Sequence, residues 1–226
     1  MIKDRIEEFQ AFLDKEVSSA TSELEDIEEK SRKHLQKLVY TNLVDRFDSM
    51  VDHVLLDNAF NETLLGEALK ILDEPLSEGE TLRLFVDAAE AKTHVDNRIQ
   101  YTLRNNLLRC RHSQKVAKLV EVFCPTQNLQ KPRVNISTGE IFGKFKPQNN
   151  RIPTSLIAYC DWLYSRRNAV VHGGGSAQIR MLDTDLARLT KSYNCKPAET
   201  VKLSLGSIKT ATTFYRGMIG ILKQGK

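Results

Sequence analysis

Cysteine is sparse here and poorly placed for bridging or metal binding. Cys110, Cys124, Cys160 and Cys195 stand 14, 36 and 35 residues apart, with no CxxC pair. No histidine sits at zinc-finger spacing from any of them, so neither a zinc site nor a disulfide framework is expected. Reduced thiols in the cytoplasm are the plain expectation. Long apolar runs are missing as well: none approaches the ~18 residues a membrane helix needs. The opening MIKDRIEEFQ is acidic and amphipathic, which predicts no secretory leader. There is no internal repeat or low-complexity tract. The 41% hydrophobic and 27% charged residues are ordinary for a folded domain and argue against global disorder.

Charge of one sign is scarce in each half of the chain. Residues 1–97 hold 23 acids against 11 lysines and arginines, whereas residues 98–226 hold 6 against 22, nets of −12 and +16. A segment that basic can hold a polyanion by neutralising phosphates and releasing counterions. The competing reading lays the basic half against the acidic half. The size of the positive excess favours nucleic acid.

The remaining pattern is helical. Ile2, Ile6, Phe9, Leu13, Val17, Ala20, Leu24 and Ile27 recur at steps of three and four, one apolar stripe on a long N-terminal helix. Leu35, Leu38, Val39, Leu43, Phe47, Val51 and Val54 continue the period on a second helix. Asn61 reads as the N-cap of a short helix to Leu72, followed by a DEPLSEGE loop. Helical periodicity then runs from about Thr81 to Phe123, too long for one rod. Between Pro125 and Pro153 lie four of the six prolines and an STGE turn, which predicts a small hairpin or ordered basic loop. Helix resumes from Leu156, then at Asp183–Tyr193 and Gly206–Leu222. The expected architecture is all-α: a single domain over 1–226, a helical bundle with one loop insertion near 125–153.

One short stretch carries chemistry. SRRNAVVHGGG, residues 165–175, offers Arg166, Arg167, Asn168 and His172, then stops on Gly173–Gly175. The glycines end the helix and permit positive φ and close approach. Arg167 and His172 are five residues apart, about 140° around an ideal helix. They converge best if the helix loosens at its end or if a second copy faces it. A fixed cation, an amide and an imidazole that titrates near neutrality suit RNA cleavage by transphosphorylation. A base takes the 2′-OH proton, an acid protonates the leaving 5′-oxygen, and arginine steadies the charged transition state. One histidine cannot readily serve as both base and acid in one step, which favours a two-fold site.

Arg167-Asn168-Ala169-Val170-Val171-His172 resembles the R-N-x-x-x-H form of the R-x4-6-H motif of HEPN domains, with a glycine following. The resemblance implies an HEPN-like helical bundle and a metal-independent endoribonuclease, with no cofactor, active as a homodimer that joins two motifs. His172 would transfer protons, Arg167 hold the phosphate, Asn168 orient its neighbours, and Arg166 make a secondary phosphate contact. Such proteins occur in antiviral defence and toxin–antitoxin pairs, which implies an antitoxin or defence-system partner. The alternative is a non-catalytic HEPN interaction or RNA-binding module. Some members carry a tyrosine two residues after the histidine that a partner enzyme modifies; Gly174 stands there here. Some recruit an acid from an earlier helix, and Asp45 and Asp48 are both placed for that role.

Further candidates are weaker. TLRNNLLRCRHSQKVAKL has five lysines and arginines and no acid. Its Arg104, Arg111, Lys115 and Lys118 fall on one helical face, a phosphate track or a solvated surface. His34, His53, His94 and His112 stand alone. Trp162 and Tyr164 can stack a base, although core packing is the better expectation.

Overall fold

A computed structural model describes residues 2–72, 76–147, 149–173 and 178–225, and the architecture is mostly helical. The N-terminal stripe forms α1 (Ile2–Ala11), a π-helical segment (Phe12–Val17) and α2 (Ser18–Glu23), one continuous rod. Phe9, Leu13, Val17 and Thr21 are all buried, and they repeat at strict steps of four. On an α-helix each such step drifts about 40°. The wider π turn takes up that drift and keeps the four side chains on one face.

That face meets α3 (Glu29–Asp57) and α10 (Leu205–Gln224), and α7 (His112–Phe123) and α8 (Leu156–His172) complete one continuous core. Tyr40, Leu43, Val44, Phe47, Val51 and Val54 of α3 are fully or almost fully buried. Phe47 stacks on Tyr215 of α10 at 4.3 Å between centroids, and Phe9 closes on both. The Tyr40 hydroxyl donates to the Leu163 carbonyl at 3.0 Å, tying α3 to α8 at mid-bundle. The apolar stripe between Ile2 and Ile27 packs into this core and leaves little surface for pairing two copies: Ile6, Phe9, Leu13, Val17 and Leu24 are 0–4% exposed.

The expected long helical run from Thr81 to Phe123 is broken twice. α4 (Glu62–Ile71) starts where Asn61 accepts from the Thr63 amide, as its N-cap character predicts. α5 (Glu78–Val86) begins inside the expected DEPLSEGE loop, because Ser77 and Glu80 form a reciprocal capping box; residues 73–75 of that loop lie outside the described residues. Asp87 then caps α6 (Ala88–Asn106) by accepting from the Ala89 and Glu90 amides, which separates it from α5. A non-helical turn parts α6 from α7.

Residues 125–153 make the expected hairpin-like loop, with a Val134–Ile141 bridge and a turn held by Gly139 N donating to Asn135 O at 2.7 Å. Gly139 has φ +81°, and a Cβ there would sit 2.0 Å from the Thr210 carbonyl oxygen, so only glycine fits. Beyond α8, a two-stranded ribbon pairs β1 (Ile179–Arg180) with β2 (Thr200–Val201) and brackets α9 (Asp183–Tyr193). This arm carries its own small core of Ile179, Met181, Leu189 and Val201 against Ala169 of α8. No helix among the described residues is long and apolar enough to cross a membrane.

Candidate functional site

α8 begins at Ser155, whose hydroxyl accepts from the Ala158 amide, and stays α-helical through His172. Gly173 is not left-handed: its φ is −71°. Its lack of a side chain serves close approach instead, since a Cβ would lie 2.6 Å from the Ala169 carbonyl oxygen. Gly174 and Gly175 lie outside the described residues. The helix therefore does not loosen before His172, and Arg167 and His172 keep the divergence of about 140° set by their spacing. His172 is exposed at the helix end, while Arg167 and Asn168 are partly buried.

Arg167 is held by an acid from α3. Its Nε lies 2.6 Å from Asp45 Oδ1, a charge contact off the N–H direction, and its Nη2 donates to Asp45 Oδ2 at 3.0 Å. Nη1 donates to Asn168 Oδ1 at 3.2 Å, and the guanidinium lies 5.6 Å from the Tyr164 ring centroid. Burial works against the Arg167 charge, but the Asp45 pair outweighs it and holds the pKa above its ordinary value. Of the two acids weighed from sequence, Asp45 joins the motif.

Asp48, one turn along, serves a different cluster that sequence reasoning missed. Its Oδ1 is 2.6 Å from His112 Nδ1 and 2.8 Å from Lys115 Nζ, and Lys115 also reaches Asp52 at 2.7 Å. His112 Nε2 lies 3.3 Å from Cys160 Sγ, and the imidazole stacks on Tyr164 at 4.6 Å with the rings 4° apart. Aspartate, histidine and cysteine in sequence suggest nucleophilic chemistry. Yet Cys160 is 0% exposed and His112 is 3% exposed, so no substrate reaches them. Burial, with Asp161 and Asp48 adding to it, pushes the Cys160 thiol well above its ordinary pKa, where it is inert. Burial alone would raise Asp48, but its bonds to His112 and Lys115 outweigh that and hold it below the usual carboxylate value. The cluster locks α3, α7 and α8 together beneath the motif and steadies Tyr164, against which Arg167 rests.

The phosphate track expected on residues 102–119 does not form. The turn between α6 and α7 puts Arg104 and Arg111 on different elements from one another, Arg111 at the N-cap of α7. Lys115 is 4% exposed and shared by two carboxylates, and Lys118 pairs with Glu67 and Glu121. Among the described residues, six lysine or arginine contacts with carboxylates join the acidic half to the basic half: Asp48–Lys115, Asp52–Lys115, Glu67–Lys118, Asp45–Arg167, Glu25–Lys209 and Asp14–Arg216. These contacts engage five of the 22 basic residues of the second half, so part of the charge asymmetry is answered within the molecule. Arg166 also departs from expectation. It turns away from Arg167, is 8% exposed, donates to the Lys202 carbonyl at 2.7 Å, and lies over the Trp162 and Tyr40 rings. Trp162 and Tyr164 are thus engaged by neighbours within the chain, as core packing predicts.

A second unforeseen network fixes the arm beside the motif. Asp161, buried on α8, takes two bonds from Arg188 of α9 at 2.9 and 3.1 Å and one from the Tyr193 hydroxyl at 3.0 Å. Arg188 also pairs with Asp185 and donates to Ser165 Oγ at 2.7 Å. Compared with models of protein families, with characterised proteins and with solved structures, the chain matches none.

Proposed function

We propose that this chain is an HEPN-type endoribonuclease that cleaves RNA without a metal ion and works as a homodimer. The observation that carries the reading is the Asp45–Arg167–Asn168 cluster, set on the same helix as an exposed His172. The carboxylate aims the guanidinium and leaves outward N–H groups for a phosphate oxygen. In the reaction the 2′-oxygen attacks phosphorus and the P–O5′ bond breaks, giving a 2′,3′-cyclic phosphate and a 5′-hydroxyl. His172 takes or returns the proton, and Arg167 bears the phosphoryl charge. Because Arg167 and His172 diverge around α8, a second copy supplies the missing proton carrier across a two-fold seam. The setting is antiviral defence or a toxin–antitoxin pair in the cytoplasm.

A second reading, a non-catalytic interaction or RNA-binding module, is favoured by the commitment of Arg167 to Asp45. One experiment separates them. Purified protein incubated with total RNA in EDTA should yield fragments ending in cyclic phosphate, and His172→Ala should not, while keeping the wild-type helical circular dichroism. Intact RNA from the wild-type protein, or equal cleavage by the variant, would overturn the catalytic reading.

A further inference from the structure

Arg166 leaves an unanswered charge. It is more than nine-tenths buried, and among the described residues no carboxylate pairs with it. Aromatic faces and a carbonyl oxygen compensate a buried guanidinium only in part. Arg166 lines a cavity of about 600 Å³ formed by α8, the start of α10, the β1–β2 ribbon and the 125–153 loop. That volume lies in the range of small-molecule sites. Arg151 and Lys202 bring two more cations to its wall, and none of its lining residues is an acid.

Two further features point the same way. The 20-residue helix α10 opens onto the cavity, with Ser204, Gly206 and Ser207 of its first turn in the lining. Its N-terminus adds positive potential and amide donors. Tyr159, fully buried, also lines the cavity, and its hydroxyl has no hydrogen-bond partner. An unsatisfied buried donor is unfavourable until an acceptor reaches it. Trp162, Ile152 and Met181 supply an apolar wall, and Ser137, Thr200 and Thr210 add hydroxyls to the lining. A cationic end beside an apolar wall, in a space much larger than an inorganic anion, describes a site for a phosphate carried on a larger, partly apolar group.

We propose that this cavity binds a nucleoside phosphate, as a free nucleotide or as the terminal phosphate of an RNA strand. It lies on a different face of α8 from Arg167, so its occupancy does not depend on cleavage.

Calorimetric titration of the full chain tests this with AMP, adenosine, inorganic phosphate and a 5′-phosphorylated 2′-O-methyl RNA hexamer. AMP or the hexamer should bind saturably, and adenosine about tenfold or more weaker than AMP. AMP binding identifies a free nucleotide; hexamer binding without AMP binding identifies a strand terminus. The exposed pair Arg151→Glu and Lys202→Glu should lower affinity about tenfold or more. Tyr159→Phe, which keeps the ring, should weaken binding while leaving the melting temperature of the free protein unchanged or raised. His172→Ala should bind like wild type, so a failure of the ribonuclease reading leaves this result intact. No binding by AMP and the hexamer, or binding indifferent to all of these substitutions, would overturn the proposal.

Discussion

Lys115→Met replaces a buried ammonium with a side chain of similar length and no charge. Lys115 holds Asp48 at 2.8 Å and Asp52 at 2.7 Å, so the variant leaves two carboxylates facing each other across the site of the missing cation. Removing one partner of a buried ion pair costs about 3–5 kcal/mol. Asp48 and Asp52 are 19% and 30% exposed in their side chains, and the water they retain softens this to about 2–4 kcal/mol. For a chain of this size that is a fall in Tm of about 5–15 °C at neutral pH. Acid should shrink the deficit. Burial pushes Asp52 above its ordinary pKa, and Lys115 only partly offsets this, so Asp52 protonates first; Asp48, held below 3.8, follows. Once both are neutral, the cation has nothing left to balance. Thermal unfolding by far-UV circular dichroism at neutral pH and at pH ~3.5 reads both effects. An unchanged Tm together with weakened RNA binding would refute the reasoning, because Lys115 would then be a solvated phosphate contact.

Four further outcomes are expected. Asp45→Asn keeps the shape of the Arg167 pair but removes its charge, and cleavage should fall about 10²-fold through misplacement of the guanidinium; an unchanged rate would release Asp45 from the site. Gly139→Ala should destabilise by more than about 2 kcal/mol, given the positive φ and the Thr210 carbonyl in its way, whereas Gly143→Ala, with open space around it, should be neutral in a urea melt. The lowered pKa of Asp48 contributes stability that is present above pH 3.8 and lost as pH falls through its folded value, so Asp48→Asn should flatten the acid limb of the Tm–pH profile. Wild-type protein mixed with excess His172→Ala should lose cleavage faster than simple dilution; strictly proportional loss would show that each chain acts alone.

The helical class and the starts of α4, α8, α9 and α10 were legible in the sequence, because caps and apolar period act locally; the starts of α5, α6 and α7 were not. Asn61, Ser155 and Ser204 each sit at the N-cap of the helix they open, with the side-chain oxygen bonded into its first turn. The burial of His112 and Lys115 also left a trace: they share the α7 stripe of Val116 and Leu119, at spacings of three, four and seven. A lysine and a histidine on an apolar stripe read as surface until their partners are known. Those partners, Asp48 and Asp52, lie more than sixty residues away on α3. The motif of α8 was legible as a string of residues, but its division was not. Adjacent arginines point about 100° apart on a helix. Only the packing of α8 between α3 and α10 decided that Arg167 meets Asp45 at the edge while Arg166 turns inward to a cavity. The same packing set five cations of the basic half against acids of the other half, a pairing that net charge along a chain does not reveal.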